Sequence, residues 1–384
     1  MAATLKFNQN GKFRILLMGD PHEYYTPSRG VDKRTKDFLV LENMAIDELQ
    51  PDLVVYMGDN THADTPQALR ASVERITRPI TGRNLPLGIV FGNHDFEAKV
   101  SDPWEYINAY RAYENSLFPA KDDALSGRYD YHAVIRSSDG SRDAFNLWFM
   151  YSGNRAPKES CSKYDYVRPE QIEWYEKTAA RLKADNGGTP VPAILFQHIP
   201  VPEEYELFDE VPAWRLPFDA LRGQDERDNK CYKLKKGVAG FAGEAPCAPS
   251  VNSGQFDSWL RTGDVKAAFF GHDHMNDFAG DVRGITLGQC KLSGFHPYGD
   301  GTRQGVRVID LDESAPDRFV TYMRYYRELV GDRCQSITGP ERLMHDRTSM
   351  TLEFCLKAFG TAAAAAALGA AGAAVSHKIK KLKQ

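Results

Sequence analysis

Five short apolar runs in this chain break off abruptly, each at a cluster of Gly, Asp, Asn, Gln or His. Phe13 to Met18 ends at Gly19-Asp20, Leu53 to Met57 at Gly58-Asp59, and Leu87 to Phe91 at Gly92-Asn93-His94-Asp95. Ala193 to Phe196 ends at Gln197-His198, and Ala267 to Phe270 at Gly271-His272-Asp273-His274. Apolar runs this short, bounded by turn formers, read as buried strands. Segments with helical spacing lie between them: Asp37 to Leu49, Pro66 to Arg78, Trp104 to Glu114 and Pro169 to Lys183. Strands alternating with helices mean an α/β fold. Tyr129 to Ile135, Asn146 to Tyr151, Gly305 to Asp310 and Arg318 to Tyr325 read as further strands without intervening helices, so part of the sheet structure is expected to be antiparallel.

The strand ends deliver Asp20, His22, Asp59, Asn93, His94, Asp95, His198, His272 and His274. Ligands of open α/β sheets bind at the C-terminal edge of the strands. Two carboxylates brought together there would repel, and one would be forced to take a proton. Cations remove that conflict. Carboxylate, amide and imidazole donors suit Mn, Fe, Zn or Co, and the lack of Cys in the set argues against a structural zinc site. Asp20 and Asp59 bring two negative charges against the four positive charges of two divalent metals. Such a site would attract phosphate and acidify a bound water.

In this order, Gly19-Asp20-Pro21-His22, Gly58-Asp59-Asn60, Gly92-Asn93-His94-Asp95, His198 and Gly271-His272-Asp273-His274 resemble the five motifs of the calcineurin-like metallophosphoesterases. The resemblance spans roughly residues 13 to 310. It implies a four-layer αββα sandwich, two mixed sheets flanked by helices. It also implies roles. Asp20, His22 and His274 would bind one metal, Asn93, His198 and His272 the other, and Asp59 would bridge them. His94 would act on the leaving oxygen or on the charge building on phosphate, with Asp95 as its orienting partner. Asn93 would also meet the substrate. The implied activity is hydrolysis of a phosphate monoester by a hydroxide bridging two metal ions. A diester substrate, or a scaffold that has kept the fold without catalysis, are the alternatives.

Pro86 to Asp95, Gln197-His198-Ile199-Pro200, Gly243-Glu244, Asn252-Ser253-Gly254 and Gly263 to Lys266 through Asp277-Phe278 are similar to a fungal and plant branch labelled purple-acid-phosphatase-like. Purple enzymes carry Tyr three residues after the bridging Asp, where this chain has His62, and they lack a His at the position of His22. Without a tyrosinate on iron no purple colour is expected. His62, His296 and Arg303 are further candidates for contact with substrate.

Composition sets the remaining bounds. With 384 residues, 42% apolar and 26% charged, the chain has the makeup of a globular protein with a sizeable core. The net charge of −4 implies no general affinity for nucleic acid. None of the six cysteines forms a C-x-x-C pair, so neither a zinc knuckle nor a disulfide framework is expected; only Cys231 and Cys247 would pair, and only on export. Met1 to Lys12 has no apolar h-region, so a cytoplasmic protein is expected. Residues 1–350 read as one phosphoesterase domain, with the irregular segment 203–250 as a lid inserted after His198. Residues 351–384 read as an Ala-rich helical tail with a basic end, packed on the protein or weakly associated with a membrane surface, with a membrane span as the alternative.

Overall fold

The computed structural model describes residues 4–24, 31–97, 102–119, 129–337 and 359–372. Two mixed sheets form its centre. In the first, Lys12–Met18 is flanked on one side by Leu53–Met57 and Leu87–Val90, both parallel to it in sequence order across the sheet. On its other side Gly305–Asp312 and then Phe319–Tyr325 run antiparallel. The second sheet has seven strands, in the order Leu5–Lys6, Tyr131–Arg136, Asp143–Met150, Ala193–Gln197, Val265–Phe270, Ile285–Gln289 and Ala279–Val282. Its central neighbours are parallel and its outer pairs include antiparallel ones.

Alternation along the strands of the second sheet shows how the layers stack. Ile194, Phe196, Ala267 and Phe269 join the cluster containing Leu16, Val55 and Ile89 of the first sheet. Their neighbours Ala193, Leu195, Ala268 and Phe270 join a second cluster with Tyr175 and Trp259, which lie on helices. Successive side chains on a strand point to opposite faces, so one face of this sheet meets the other sheet and one meets helices. The sheets approach closely enough that a side chain at Gly88 would collide with the Phe149 ring, 2.6 Å from an ideal Cβ. On the outer face of the first sheet, Phe38 and Leu41 of Lys33–Leu49 and Leu69 and Ile76 of Pro66–Thr81 belong to the first cluster. The fold is thus the four-layer αββα sandwich expected from the sequence.

Segment 203–250 carries regular structure. After a 3-10 turn at Pro202–Leu207 it forms an antiparallel sheet of Phe208–Val211, Cys231–Leu234 and Leu221–Arg222. Its second half returns to the sandwich, where Ala239 bridges to Ala279, and the backbone N–H groups of Gly243 and Glu244 donate to Asn276 Oδ1. Cys161, Cys231, Cys247, Cys290 and Cys334 are free thiols, and Cys355 lies outside the described residues. Of the tail, residues 359–372 are helical; residues 351–358 and 373–384 lie outside the described residues. Among the described residues no helix is long and apolar enough to cross a membrane.

Candidate metal centre

All five polar clusters stand at the C-terminal ends of neighbouring strands and converge on one buried site. The turns that deliver them are strained. Asp20, His22, Asp59 and His272 all have φ between +46° and +73°, a region non-glycine residues rarely occupy outside functional sites. Two glycines make the convergence sterically feasible. An ideal Cβ at Gly58, where φ is +101°, would lie 2.4 Å from His198 Nδ1, and one at Gly92 would lie 2.2 Å from Asp59 Oδ1. Any side chain at either position would push a ligand out of place.

Asp20, His22 and His274 bring their ligand atoms within 4.8 Å of one another, and Asp59, His198 and His272 form a second such group. Asp59 joins the two. Its Oδ2 is 3.5 Å from His22 Nε2 and 3.2 Å from His198 Nε2, while Oδ1 accepts the His94 backbone N–H at 2.7 Å. Asn93 Oδ1 lies 3.1 Å from His198 Nε2. Asp20 Oδ1 is 3.6 Å from His274 Nε2, and its carboxylate accepts the His272 backbone N–H. Two rings are locked from behind: His198 Nδ1–H donates to the Met57 carbonyl (2.9 Å) and His274 Nδ1–H to the Tyr298 carbonyl (3.0 Å). Each bond fixes the tautomer that turns Nε2 into the site as a lone-pair donor.

The chemistry of these groups fits metal ions. The buried atoms His22 Nε2, His272 Nε2 and Asn93 Nδ2 have no hydrogen-bond partner, a costly arrangement unless something else meets the imidazole lone pairs. Burial pushes His22 and His272 well below the usual histidine range, so both are neutral and ready to donate. Burial opposes ionisation of Asp59, but the His198 and His22 rings outweigh it and hold its carboxyl well below the usual range. Burial likewise favours neutral His198, yet Asp59 and Asp20 overcome it and push its pKa up to about 9. A cation placed among these groups would take over the charge that the His198 proton supplies.

Residues 13–276 match the family model for calcineurin-like phosphoesterases. The chain belongs to this family. It is similar to "Probable inactive purple acid phosphatase 29" of Arabidopsis thaliana, 28% identical over 80% of this chain and 79% of that one. "Probable inactive purple acid phosphatase 14" from the same plant is 29% identical over 80% of this chain and 77% of its own length. "Phosphatase DCR2" of Saccharomyces cerevisiae is 24% identical over 72% of this chain and 46% of its own.

Not every residue singled out in the sequence lies where it was expected in this member of the family. Asp95 does not orient His94. Its fully buried carboxylate accepts the backbone N–H groups of Asn60 (2.9 Å), Thr61 (3.1 Å) and Gly92 (2.8 Å), tying the second and third strand-end turns together. Burial and the neighbouring Asp59 push it up to about 7. The partner of His94 is Glu97, whose Oε2 lies 2.5 Å from His94 Nδ1. The spacing of three residues in a tight turn was the available signal. His94 stands outside both ligand groups, its ring 5.5 Å from that of His22.

His296 is enclosed, 3.1 Å from Thr35 Oγ1 and beside Glu23 and Asp32; burial pushes its pKa down to about 4, so it offers no positive charge to a phosphate. Arg303 lies over the Phe241 ring at 4.2 Å and beside Asp300, where its charge is engaged. His62 is in neither ligand group; it stacks on the half-exposed Tyr24, ring centroids 4.9 Å apart. Tyr24 and Tyr164, whose ring meets His272 edge-on at 4.4 Å, are neighbours of the site that no sequence spacing announced.

Proposed function

We propose that the chain is a metal-dependent phosphomonoesterase. The observation that carries this reading is the pair of complete, buried donor groups joined through Asp59, with His94 beside them and outside both. Asp20, His22, His274 and Asp59 would hold one metal; Asn93, His198, His272 and Asp59 the other. Mn, Fe and Zn suit these oxygen and imidazole donors. Bound there, two such ions would acidify a water and neutralise phosphate charge.

The chain's own groups do the rest. Asp59 fixes the spacing of the two donor groups and, through the His94 backbone N–H, the position of the His94 turn. The backbone carbonyls of Met57 and Tyr298 keep two imidazoles from rotating. His94, with its side chain 41% exposed, is open to the phosphate side and can pass a proton to the departing ester oxygen. Glu97, held on Nδ1, directs Nε2 toward that oxygen. None of these roles needs the tyrosine of purple enzymes: His62 occupies its place in the sequence and lies against Tyr24, while His22 supplies a nitrogen donor.

A non-catalytic scaffold is the second reading, favoured by the word "inactive" in the names of the two Arabidopsis relatives. Metal content and turnover separate the two. The enzyme reading expects two metal ions per chain and hydrolysis of p-nitrophenyl phosphate faster than of its bis ester. The reverse preference would make the chain a phosphodiesterase; metal near zero with no hydrolysis would support the scaffold.

A further inference from the structure

The segment from Gly153 to Asp165 doubles back beside the second donor group. Arg155 and Tyr164 form an antiparallel bridge, and the Asp165 backbone N–H donates to the Asn154 carbonyl. The Lys163 backbone N–H is anchored on Asp225 Oδ2 at 2.7 Å. Tyr164 meets the His272 ring at 4.4 Å and 85°. Two exposed cations rest on the same tyrosine: Lys163 Nζ is 4.9 Å and Arg155 Cζ 5.3 Å from its centroid. Among the described residues neither enters an ion pair, whereas Arg168 close by is neutralised by Asp165. Their backbone is fixed and their charges are free.

The two contacts in series put each charge no more than about 10 Å from the His272 ring, roughly one Debye length at 0.1 M salt. A phosphate at the metals would be largely screened from both, whereas a second anionic group reaching the Tyr164 ring would meet them directly. On the His94 side, beside the first donor group, the charge next to the site among the described residues is the Glu97 carboxylate. The rim is thus positive beside His272 and negative beside His94. Such a field steers a second anionic group of a bound phosphate ester toward Tyr164 and away from His94. Arginine's planar fork matches a phosphate or carboxylate with two parallel bonds, and lysine adds a point charge.

From this asymmetry we propose that Arg155 and Lys163 form a subsite for a second anionic group, so that the preferred substrates are organic phosphates bearing another phosphate or carboxylate several ångströms from the scissile one. This rests on the phosphomonoesterase reading above. The role is one of specificity, since neither side chain touches the reacting atoms.

The test compares a hexose 1,6-bisphosphate with the matching 6-monophosphate, and uses p-nitrophenyl phosphate as the substrate without a second charge. Wild-type, metal-loaded full-length protein is set against Arg155→Ala/Lys163→Ala. The expected result is at least a tenfold lower kcat/KM for the bisphosphate in the double variant, carried by KM. p-Nitrophenyl phosphate should change by less than twofold, and Arg155→Lys should fall between wild type and double variant at low salt. An equal loss on all three substrates, or no loss on any, overturns the subsite while leaving the phosphoesterase reading intact. Failure of the wild type to hydrolyse any of them overturns the phosphoesterase reading instead. Calorimetric binding then decides the subsite: tighter binding of the bisphosphate than of the monophosphate, lost in the double variant, supports it, and equal binding overturns it.

Discussion

Asp59 carries more of the site than any other side chain, because one oxygen holds the His94 turn and the other faces His22 and His198. Asp59→Asn keeps the shape and removes the charge. Turnover should fall by at least about 10²-fold, as when a preorganised electrostatic group is deleted. His94→Ala should also lower kcat, by about 10² to 10⁴, the range for a positioned acid–base group. It should leave metal content unchanged, whereas His198→Ala should lose part of the metal. Equal metal loss in the two, measured by elemental analysis, would contradict the division of roles. Glu97→Ala should lower kcat less than His94→Ala does, with little change in KM. Metal binding should also release protons. The raised pKa of His198, about 9, means that the metal-free ring is charged at neutral pH and must lose its proton to donate. Apparent affinity should therefore rise with pH up to about 9; calorimetry at pH 7 in two buffers of different ionisation enthalpy should detect the released proton, and identical heats would count against it.

At the scale of elements, the strand ends were legible in the sequence because apolar runs met polar residues without transition. Helix starts were legible at Pro66 and Pro169, since proline suits a first helical turn, and in the structure Thr65 caps the first of them by accepting the Ala68 N–H. The helix at Lys33–Leu49 begins earlier than its apolar spacing suggests, because Asp32 caps a polar first turn. Other elements left little trace. The helix Gln255–Thr262 has eight residues and starts on Gly254 without a side-chain cap. The hairpin of Ala279–Val282 and Ile285–Gln289 has a glycine inside each strand, Gly280 and Gly288, and its turn is Arg283-Gly284, where both residues have positive φ, as a tight hairpin requires. The small sheet within 203–250 is built of short, charged strands such as Phe208–Val211.

One helix–sheet contact makes a test of its own. Tyr56 Oη lies 2.6 Å from both Glu42 Oε1 and the Ile76 carbonyl, yet a tyrosine has one proton to give. If that proton goes to Ile76, Glu42 must be protonated and donate to Tyr56. Burial agrees, pushing Glu42 up to about 8 from 4.5. The sign follows: a folded-state pKa above the unfolded one means stability falls as pH rises from about 4.5 and levels off beyond about 8. Glu42→Gln keeps a donor at every pH. Its stability relative to wild type should improve by several kcal/mol between pH 5 and pH 8.5, an upper limit set by the size of the shift. Urea midpoints at the two pH values check this, and a gap that does not widen would contradict it.

For the whole molecule, the alternation of strands and helices and the delivery of polar residues at strand ends could be read from order and spacing, whereas the four layers and the ligand roles came from the resemblance that the five motifs carry. Side-chain direction could be read from neither. Asp95 follows His94 in the chain but turns toward three backbone N–H groups, and Glu97 takes the place expected of it. His296 and Arg303 lie on the loop after the last ligands, yet burial keeps the first neutral and Asp300 pairs with the second. The central claim is that this αββα sandwich builds one metal-dependent phosphoester-cleaving site. The most direct measurement is the rate of p-nitrophenyl phosphate hydrolysis by the purified chain before chelation, after it, and after Mn or Zn is returned. Turnover that disappears with the metal and returns with it is the predicted result; a chain that takes up two metal ions and still hydrolyses no faster than buffer would contradict the claim.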